Sequence, residues 1–167
     1  MPDRPFQLTS LPIHAHERPR VQQYSLRIDG LVEHPAALSV EELLALPGSG
    51  FDDDFVCLEG WTVPNLRWRG VRLAMVLERV GLRAEARWVQ ASAGDFSLPL
   101  PLAEAGNALL ALWLNDQMLA PEHGAPVRLL VPGGECFTSV KWLDHLELRA
   151  EPAENTAEAI ARARLMR

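Results

Sequence analysis

Two cysteines are the residues in this sequence best suited to redox, metal or nucleophilic chemistry. Cys57 lies in FDDDFVCLEGW (51–61), just after three aspartates. Nearby negative charge raises the pKa of a thiol because it disfavours the thiolate. Nucleophilic catalysis needs a thiolate, and hence a histidine or another positive group beside the cysteine, whereas the local sequence supplies carboxylates. Taken alone, this pattern predicts that Cys57 is a small, buried, protonated thiol.

The five histidines do not form a metal-binding motif. They are spread along the chain at positions 14, 16, 34, 123 and 145. His14 and His16 would point to the same side of a strand, but none of the five shares a ligand spacing with Cys57 or with the second cysteine, Cys136. A zinc site needs such clustering, so we do not expect a metal site built from histidine.

Two further features are weak signals when taken alone. The segment PGGE (132–135) follows an apolar run and could present backbone N–H groups to an anion. It lacks the lysine and serine of a phosphate-binding P-loop, so by itself it predicts a turn. Lys141 is the only lysine among sixteen basic residues. On the strand that we predict around it, its side chain reaches either solvent or an anion.

Composition narrows the class of protein. The chain has 167 residues, 48% of them hydrophobic and 23% charged, and a formal net charge of −6. An acidic chain lacks the basic face that nucleic-acid and membrane-surface binders use. The N-terminus does not resemble a signal peptide, and no apolar run approaches the roughly 18 residues of a membrane span. We therefore expect a cytoplasmic protein that binds neither membrane nor nucleic acid.

Local patterns predict the elements that must position these residues. Ser39 and Glu42 form a capping box that begins a helix over 39–48. Gly81 ends a second helix over 70–81, and Asn155 with Glu158 begins a C-terminal helix. Six strands are predicted from alternating or continuous apolar residues. They are 24–32, the hairpin 87–92 and 96–102 with its second arm at a sheet edge, 108–115, 125–132 and 139–151.

Strands dominate the middle of the chain without a βαβ repeat, which predicts an α+β fold with mixed, mostly antiparallel β-sheets and short helices packed around them. We expect one domain over 1–167. Within it we expect an N-terminal arm over 1–22, a core over 23–150 and a helical tail over 153–167.

Four sequence blocks, in order, resemble the sulfite-oxidase-type molybdopterin-binding domain. They are YSLRIDGLVEHPAALSVEELLALPG, CLEGWTVPNLRWRGVRLAMVLERVG, NALLALWLNDQMLAPEHGAPVRLLVPG and SVKWLDHLEL. The resemblance covers residues 12–148. It implies that fold, and it implies a molybdenum oxidoreductase that carries out oxygen-atom transfer on a small substrate. A separate electron-transfer partner is a further expectation.

The resemblance also implies the cofactor and its ligands. Molybdopterin without an attached nucleotide supplies two sulfurs to the metal, oxo groups complete the coordination, and Cys57 is the protein ligand and catalytic residue. A bound metal deprotonates a thiol outright, and a soft thiolate suits a metal already held by sulfur. The implied cofactor-binding residues are His14, Arg18, Gly60, Trp61, Arg128, Gly133, Gly134, Ser139 and Lys141.

Departures from the family pattern leave two alternatives open. Cys136 and Thr138 stand near positions where family members carry a glycine and a basic residue, which removes positive charge and adds a thiol. The chain could therefore be a cofactor-free binding module that keeps the fold. It could also be a thiol redox protein, if the Cα atoms of Cys57 and Cys136 lie within about 7 Å. An open cleft at Cys57, lined by His14, Arg128 and Lys141, would favour the enzyme, whereas a cleft filled by side chains would favour the module.

Overall fold

The structure is a computed structural model that describes residues 6–12 and 23–166. Its strands are β1 (Phe6–Gln7), β2 (Leu26–Gly30), β3 (Ala36–Leu38), β4 (Gly48–Val56), β5 (Trp61–Arg72), β6 (Trp88–Ala93), β7 (Phe96–Pro101), β8 (Leu109–Leu114), β9 (Gln117–Met118), β10 (Arg128–Leu130) and β11 (His145–Arg149). Its α-helices are α1 (Val40–Leu44), α2 (Leu73–Val80), α3 (Leu102–Ala105) and α4 (Thr156–Leu165), and two 3-10 helices cover Pro121–His123 and Cys136–Thr138.

The strands form two sheets. The first has the order β1-β5-β8-β10, with β4 paired to β5 and β9 paired to β8. The second has the order β3-β2-β11-β6-β7. Within the described residues, the pairs β1–β5 and β2–β11 are parallel and the other strand pairs are antiparallel. The predicted fold class, α+β with mixed and mostly antiparallel sheets, is confirmed.

Two apolar clusters hold the sheets in place. The larger one joins the buried side of α2 to the inner residues of the second sheet, such as Ile28 and Leu146, which are fully buried. The smaller one surrounds Trp68 on β5, whose side chain is 2% exposed. Burial of an aromatic side chain of this size is worth several CH₂ groups of transfer free energy. This packing holds β5 in place, and with it the residues at the N-terminal end of the strand, which begins at Trp61.

Several local predictions are confirmed. Ser39 and Glu42 make both hydrogen bonds of the capping box at the start of α1. Gly81 ends α2 with a φ of 68°, and Asn155 caps α4 by accepting a hydrogen bond from the Glu158 amide. The hairpin is formed by β6 and β7, and β7 lies at the sheet edge as its prolines require. The longest described helix, α4, has ten residues, and no described helix could cross a membrane.

Two element boundaries were wrong. The predicted helix over 70–81 begins only at Leu73, because residues 70–72 continue β5 and pair with β8. The predicted strand over 139–151 is a strand only from His145. Before that point Val140 makes a single bridge to Leu129, and Trp142 has a φ of 56°, which a continuous strand does not allow. Lys141 therefore lies in a turn.

Candidate active site

Cys57 lies in the turn of the β4–β5 hairpin. Its backbone N–H donates to the carbonyl of Trp61 at 2.9 Å, and the Gly60 N–H donates back to the Cys57 carbonyl at 3.0 Å. Gly60 has a φ of 90°, a conformation that glycine adopts without the strain of a Cβ atom. The turn thus holds the half-buried thiol at the end of the paired β4–β5 ladder.

The three aspartates before Cys57 stabilise this hairpin. Asp52 forms an ion pair with Arg69 on β5 at 2.8 Å. An oxygen of Asp54 accepts the backbone N–H of Asn65 at 2.8 Å, across the strand pair. Asp53 accepts the N–H of Asp54 at 2.8 Å. These three interactions lie beside a register shift between β4 and β5. The carboxylates are engaged within the hairpin and not with the Cys57 thiol.

A cavity of about 710 Å³ opens beside Cys57. This volume falls within the range of about 300–1,000 Å³ typical of small-molecule and cofactor sites. Apolar and aromatic side chains line it, with three cationic groups among them, on Arg128, Lys141 and Arg164. The expected open cleft at Cys57 is present.

Glu59 and two aromatic rings form the wall beside the thiol. The Glu59 carboxylate accepts a hydrogen bond from the Trp61 indole N–H at 2.9 Å, and the Cys57 Sγ lies 3.8 Å from the same oxygen. The Trp61 ring stacks on Phe55, with centroids 5.7 Å apart and planes at 21°. The Trp61 side chain is therefore held by the Glu59 carboxylate at its N–H and by the Phe55 ring against its face.

The second cysteine lies directly against this turn. The Leu58 N–H donates to the Cys136 Sγ at 3.4 Å. Hydrogen bonding with Cys136, together with burial, raises the pKa of Cys57 well above its usual range. The same interaction, with help from the Leu58 N–H, lowers the pKa of Cys136 to about 6. Cys57 keeps its proton in the absence of metal, as its acidic surroundings predicted, but the main cause is the second thiol.

Arg128 supplies positive charge beneath the cavity. It is 2% exposed, and its guanidinium donates to Ser139 Oγ at 2.6 Å and to the His123 carbonyl at 3.0 Å. The guanidinium also lies 5.4 Å from the Phe55 ring centroid and 5.1 Å from that of Trp68. Burial lowers its pKa to about 10, so it stays charged at neutral pH.

His123 and Lys141 lie close to Arg128. Burial, and then the charges of Arg128 and Lys141, lower the pKa of His123. Its buried Nδ1 has no hydrogen-bond partner among the described residues. Lys141 donates to the Glu122 carbonyl at 3.4 Å. A Cβ at Gly124 would approach the Lys141 Cα to 3.0 Å, which explains the glycine after His123.

The structure brings some of the predicted site residues together. Those that line the large cavity are Cys57, Trp61, Arg128, Ser139 and Lys141. Gly60 shapes the adjoining turn. Gly133 and Gly134 line a separate groove of about 50 Å³, and the Gly134 N–H already donates to Val131 at 3.0 Å. His14 and Arg18 lie outside the described residues.

Sequence patterns missed other residues of this cavity. Glu59, Asp95, Phe137, Asp144 and the helical residues Ile160, Ala161 and Arg164 also line it. No motif marks them, because the fold brings them together from distant segments.

The side chains present suit a molybdopterin cofactor. A soft thiol faces the cavity, and the cationic groups of Arg128, Lys141 and Arg164 could meet a phosphate there. Among residues 6–12 and 23–166, no three His, Cys, Asp or Glu side chains are grouped to hold a metal ion. The remaining ligands would come from the cofactor.

A cysteine in a hairpin turn, beside an open cleft that contains Arg128, Lys141 and Arg164, in a fold of two mostly antiparallel sheets, agrees with the sulfite-oxidase-type domain that the sequence predicts. The chain belongs to the family described as "Oxidoreductase molybdopterin binding domain", which matches residues 12–157. The predicted family is confirmed, and with it membership of a family of molybdenum oxidoreductases.

The relatives carry several different activities in their names. The chain is 34% identical to "Uncharacterized oxidoreductase YuiH" of Bacillus subtilis, over 86% of this chain and 76% of that protein. It is 29% identical to "Sulfite oxidase" of Arabidopsis thaliana, over 80% of this chain and 44% of the relative. It is also 29% identical to "Protein-methionine-sulfoxide reductase catalytic subunit MsrP" of Campylobacter jejuni, over 84% and 54%.

A solved structure shows the same fold. The sulfane dehydrogenase SoxCD from Paracoccus pantotrophus superimposes with a TM-score of 0.71 at 29% identity, over 77% of this chain and 38% of that one. The chain thus spans about half or less of most of these proteins, and about three quarters of the Bacillus relative.

Proposed function

We propose that this protein transfers an oxygen atom to or from a small substrate at a molybdenum held by molybdopterin and by the sulfur of Cys57. The observation that carries the proposal is the half-buried Cys57 thiol on an open cavity of about 710 Å³ that also contains the cations of Arg128, Lys141 and Arg164. When bound, the cofactor would supply two-electron chemistry and the oxygen-atom transfer.

The protein's own residues bind and orient in this proposal. Arg128, fixed by Ser139 and by two aromatic rings, would supply a positive charge to the cofactor. Lys141 would be a second cation for the phosphate. Trp61, whose indole N–H donates to Glu59, would form a wall of the site that excludes water. His14 and Arg18 from the arm, and Gly133 and Gly134 in the neighbouring turn, are further proposed contacts.

Cys57 has a specific protonation role. Its raised pKa means that the thiol carries a proton before the metal arrives. Metal binding requires a thiolate, so ligation releases that proton. Insertion of the cofactor should then become more favourable as the pH rises.

The open cavity favours this proposal over the cofactor-free module. A module that had lost its cofactor would be expected to fill the cleft with side chains, whereas here about 710 Å³ is free beside Arg128 and Lys141. The contact between Cys136 and the Cys57 turn favours a second candidate, a dithiol redox site. Thiol titration of the protein before and after reduction tests it, and two free thiols under both conditions would contradict it.

Metal and pterin analysis tests the leading proposal. The protein would be made in a host that synthesises molybdopterin, and molybdenum and pterin per chain would be measured for the wild type, Cys57→Ser and Cys136→Ser. We expect about one molybdenum per chain in the wild type and in Cys136→Ser, and loss of the metal in Cys57→Ser. A wild-type protein that holds neither metal nor pterin would overturn the proposal. If the wild type holds the cofactor, activity assays with a panel of sulfoxides, N-oxides and oxyanions would identify the substrate.

A further inference from the structure

We propose that α4 forms one wall of the cofactor cleft and that Arg164 on this helix binds the phosphate of molybdopterin. The inference rests on the proposed function, because it names a further binding residue of the same site. It concerns a segment that the family match does not explain. That match ends at residue 157, after the first two residues of α4.

The first turn of α4 is anchored to the β6–β7 hairpin. Thr156 Oγ1 accepts the Ser97 N–H at 2.8 Å and donates to the Asp95 carbonyl at 2.6 Å. Gln90, which is 4% exposed, donates to the Glu154 carbonyl at 2.9 Å. Buried polar bonds of this kind fix position as well as stability. The helix therefore has a defined place in the fold.

One face of α4 points into the cavity. Ile160, Ala161 and Arg164 all line it, as their spacing of one helical turn requires. Glu158 and Arg162 pair with each other at 2.8 Å, and Arg162 does not line the cavity. The helix also packs against the 3-10 helix Cys136–Thr138. A helix outside the family match thus completes the cleft beside the second cysteine.

Arg164 differs from the other two cations of the cavity. Arg128 is buried, whereas Arg164 is exposed. Lys141 is a point charge, whereas a guanidinium at the exposed rim can meet two phosphate oxygens at once. The cavity also contains the carboxylates of Asp95 and Asp144. The Arg164 guanidinium would offset the charge of these carboxylates against a dianionic phosphate.

Pterin retention tests the inference, with Arg162→Gln as the matched control on the same helix. Wild type, Arg164→Gln and Arg162→Gln would be purified with cofactor, and the release of pterin after dilution would be followed by its fluorescence. Losing a charge-assisted bond to phosphate should weaken pterin binding by about ten- to a hundred-fold in Arg164→Gln. Arg162→Gln should retain pterin like the wild type. Arg164→Lys should fall between the two, because it keeps charge without the bidentate fork.

The outcomes separate this inference from the proposed function. If wild type and Arg164→Gln release pterin at the same rate, the role of Arg164 is overturned while the proposed function stands. If the wild type holds no pterin, both are overturned. Thermal unfolding of the cofactor-free proteins checks folding. An Arg164→Gln protein that unfolds at the wild-type temperature yet loses pterin supports the inference. If Arg164→Gln does not fold, Arg164→Lys decides in its place, and release at the wild-type rate from that variant counts against the inference.

Discussion

The Sγ atom of Cys136 accepts a hydrogen bond from the backbone N–H of Leu58 at 3.4 Å. A loop 78 residues away in sequence thus places a second sulfur against the residue that follows Cys57. The two thiols share one electrostatic environment, and their pKa values move in opposite directions.

The thiols of the cofactor-free protein should differ in reactivity. Cys136 should be alkylated faster than Cys57 at pH 7, because its pKa is lowered to about 6 while that of Cys57 is raised and the thiolate is the nucleophile. Cys136→Ser should speed the alkylation of Cys57, since the largest cause of its raised pKa is removed. Mass spectrometry of peptides after timed iodoacetamide treatment measures both rates. Equal rates in the wild type would contradict this assignment.

Arg128 should contribute strongly to stability. Arg128→Met removes the hydrogen bonds to Ser139 and to the His123 carbonyl and the contacts with two aromatic rings. We expect the free energy of unfolding to fall by about 2–4 kcal/mol, measured by urea denaturation. Arg79→Met is the control, because Arg79 pairs with Glu42 at 3.5 Å on the surface, and should cost less than about 1 kcal/mol. A similar loss in the two variants would refute the special role of Arg128.

Tyr24 should make the protein less stable at alkaline pH. It is the chain's one tyrosine, and its hydroxyl donates to the Leu143 carbonyl at 2.6 Å. Burial, and then Asp144, raise its pKa above the ordinary value of 10. The unfolded chain therefore loses this proton first, and stability that is present below pH 10 is lost as the pH rises above it.

The measurement is the free energy of unfolding between pH 8 and 11 for the wild type and Tyr24→Phe. The difference between them should shrink above pH 10, by at most about 1.4 kcal/mol per pH unit. Absorbance at the tyrosinate wavelength should appear together with unfolding. Ionisation of Tyr24 in the folded protein near pH 10 would show the prediction to be wrong.

The aspartates before Cys57 should matter for folding rather than for metal binding. Asp54→Ala removes the acceptor of the Asn65 N–H and should lower the free energy of unfolding by about 1 kcal/mol. Asp53→Ala, which loses only a contact with the next amide, should cost less. Molybdenum per folded chain should stay unchanged in both, because neither side chain lines the large cavity. Loss of metal from folded Asp54→Ala would point to a direct role.

Elements with local signals were predictable from sequence. The capping residues Ser39 and Asn155 and the stop at Gly81 act within one helical turn, so their meaning does not depend on the rest of the fold. The hairpin over 87–102 was predictable for the same reason. The four family-like blocks identified Cys57 as the candidate ligand because they preserve the order of the fold's segments.

Other features depend on contacts between distant segments. The β4 strand is exposed along much of its length, so it lacks the alternation that marks a half-buried strand. Trp142 interrupts a pattern that otherwise alternates. The contact of Cys136 with the Cys57 turn, and the presence of α4 at the cavity, follow only from the assembled sheets. The spacing of residues in the sequence predicts neither the Cys136 contact nor the position of α4.

Because Cys57 lies at the end of a paired hairpin, its position depends on the lengths of β4 and β5. Few insertions or deletions in these strands should preserve it. From Asp53 to Phe55, two steps along β4 face three along β5, with Asn65 at a φ of 56° beside the shift. Removing or adding one residue elsewhere in either strand would reverse which side chains face the cleft and would turn the thiol away. Length changes should therefore be tolerated first at this irregular point and not between it and Cys57.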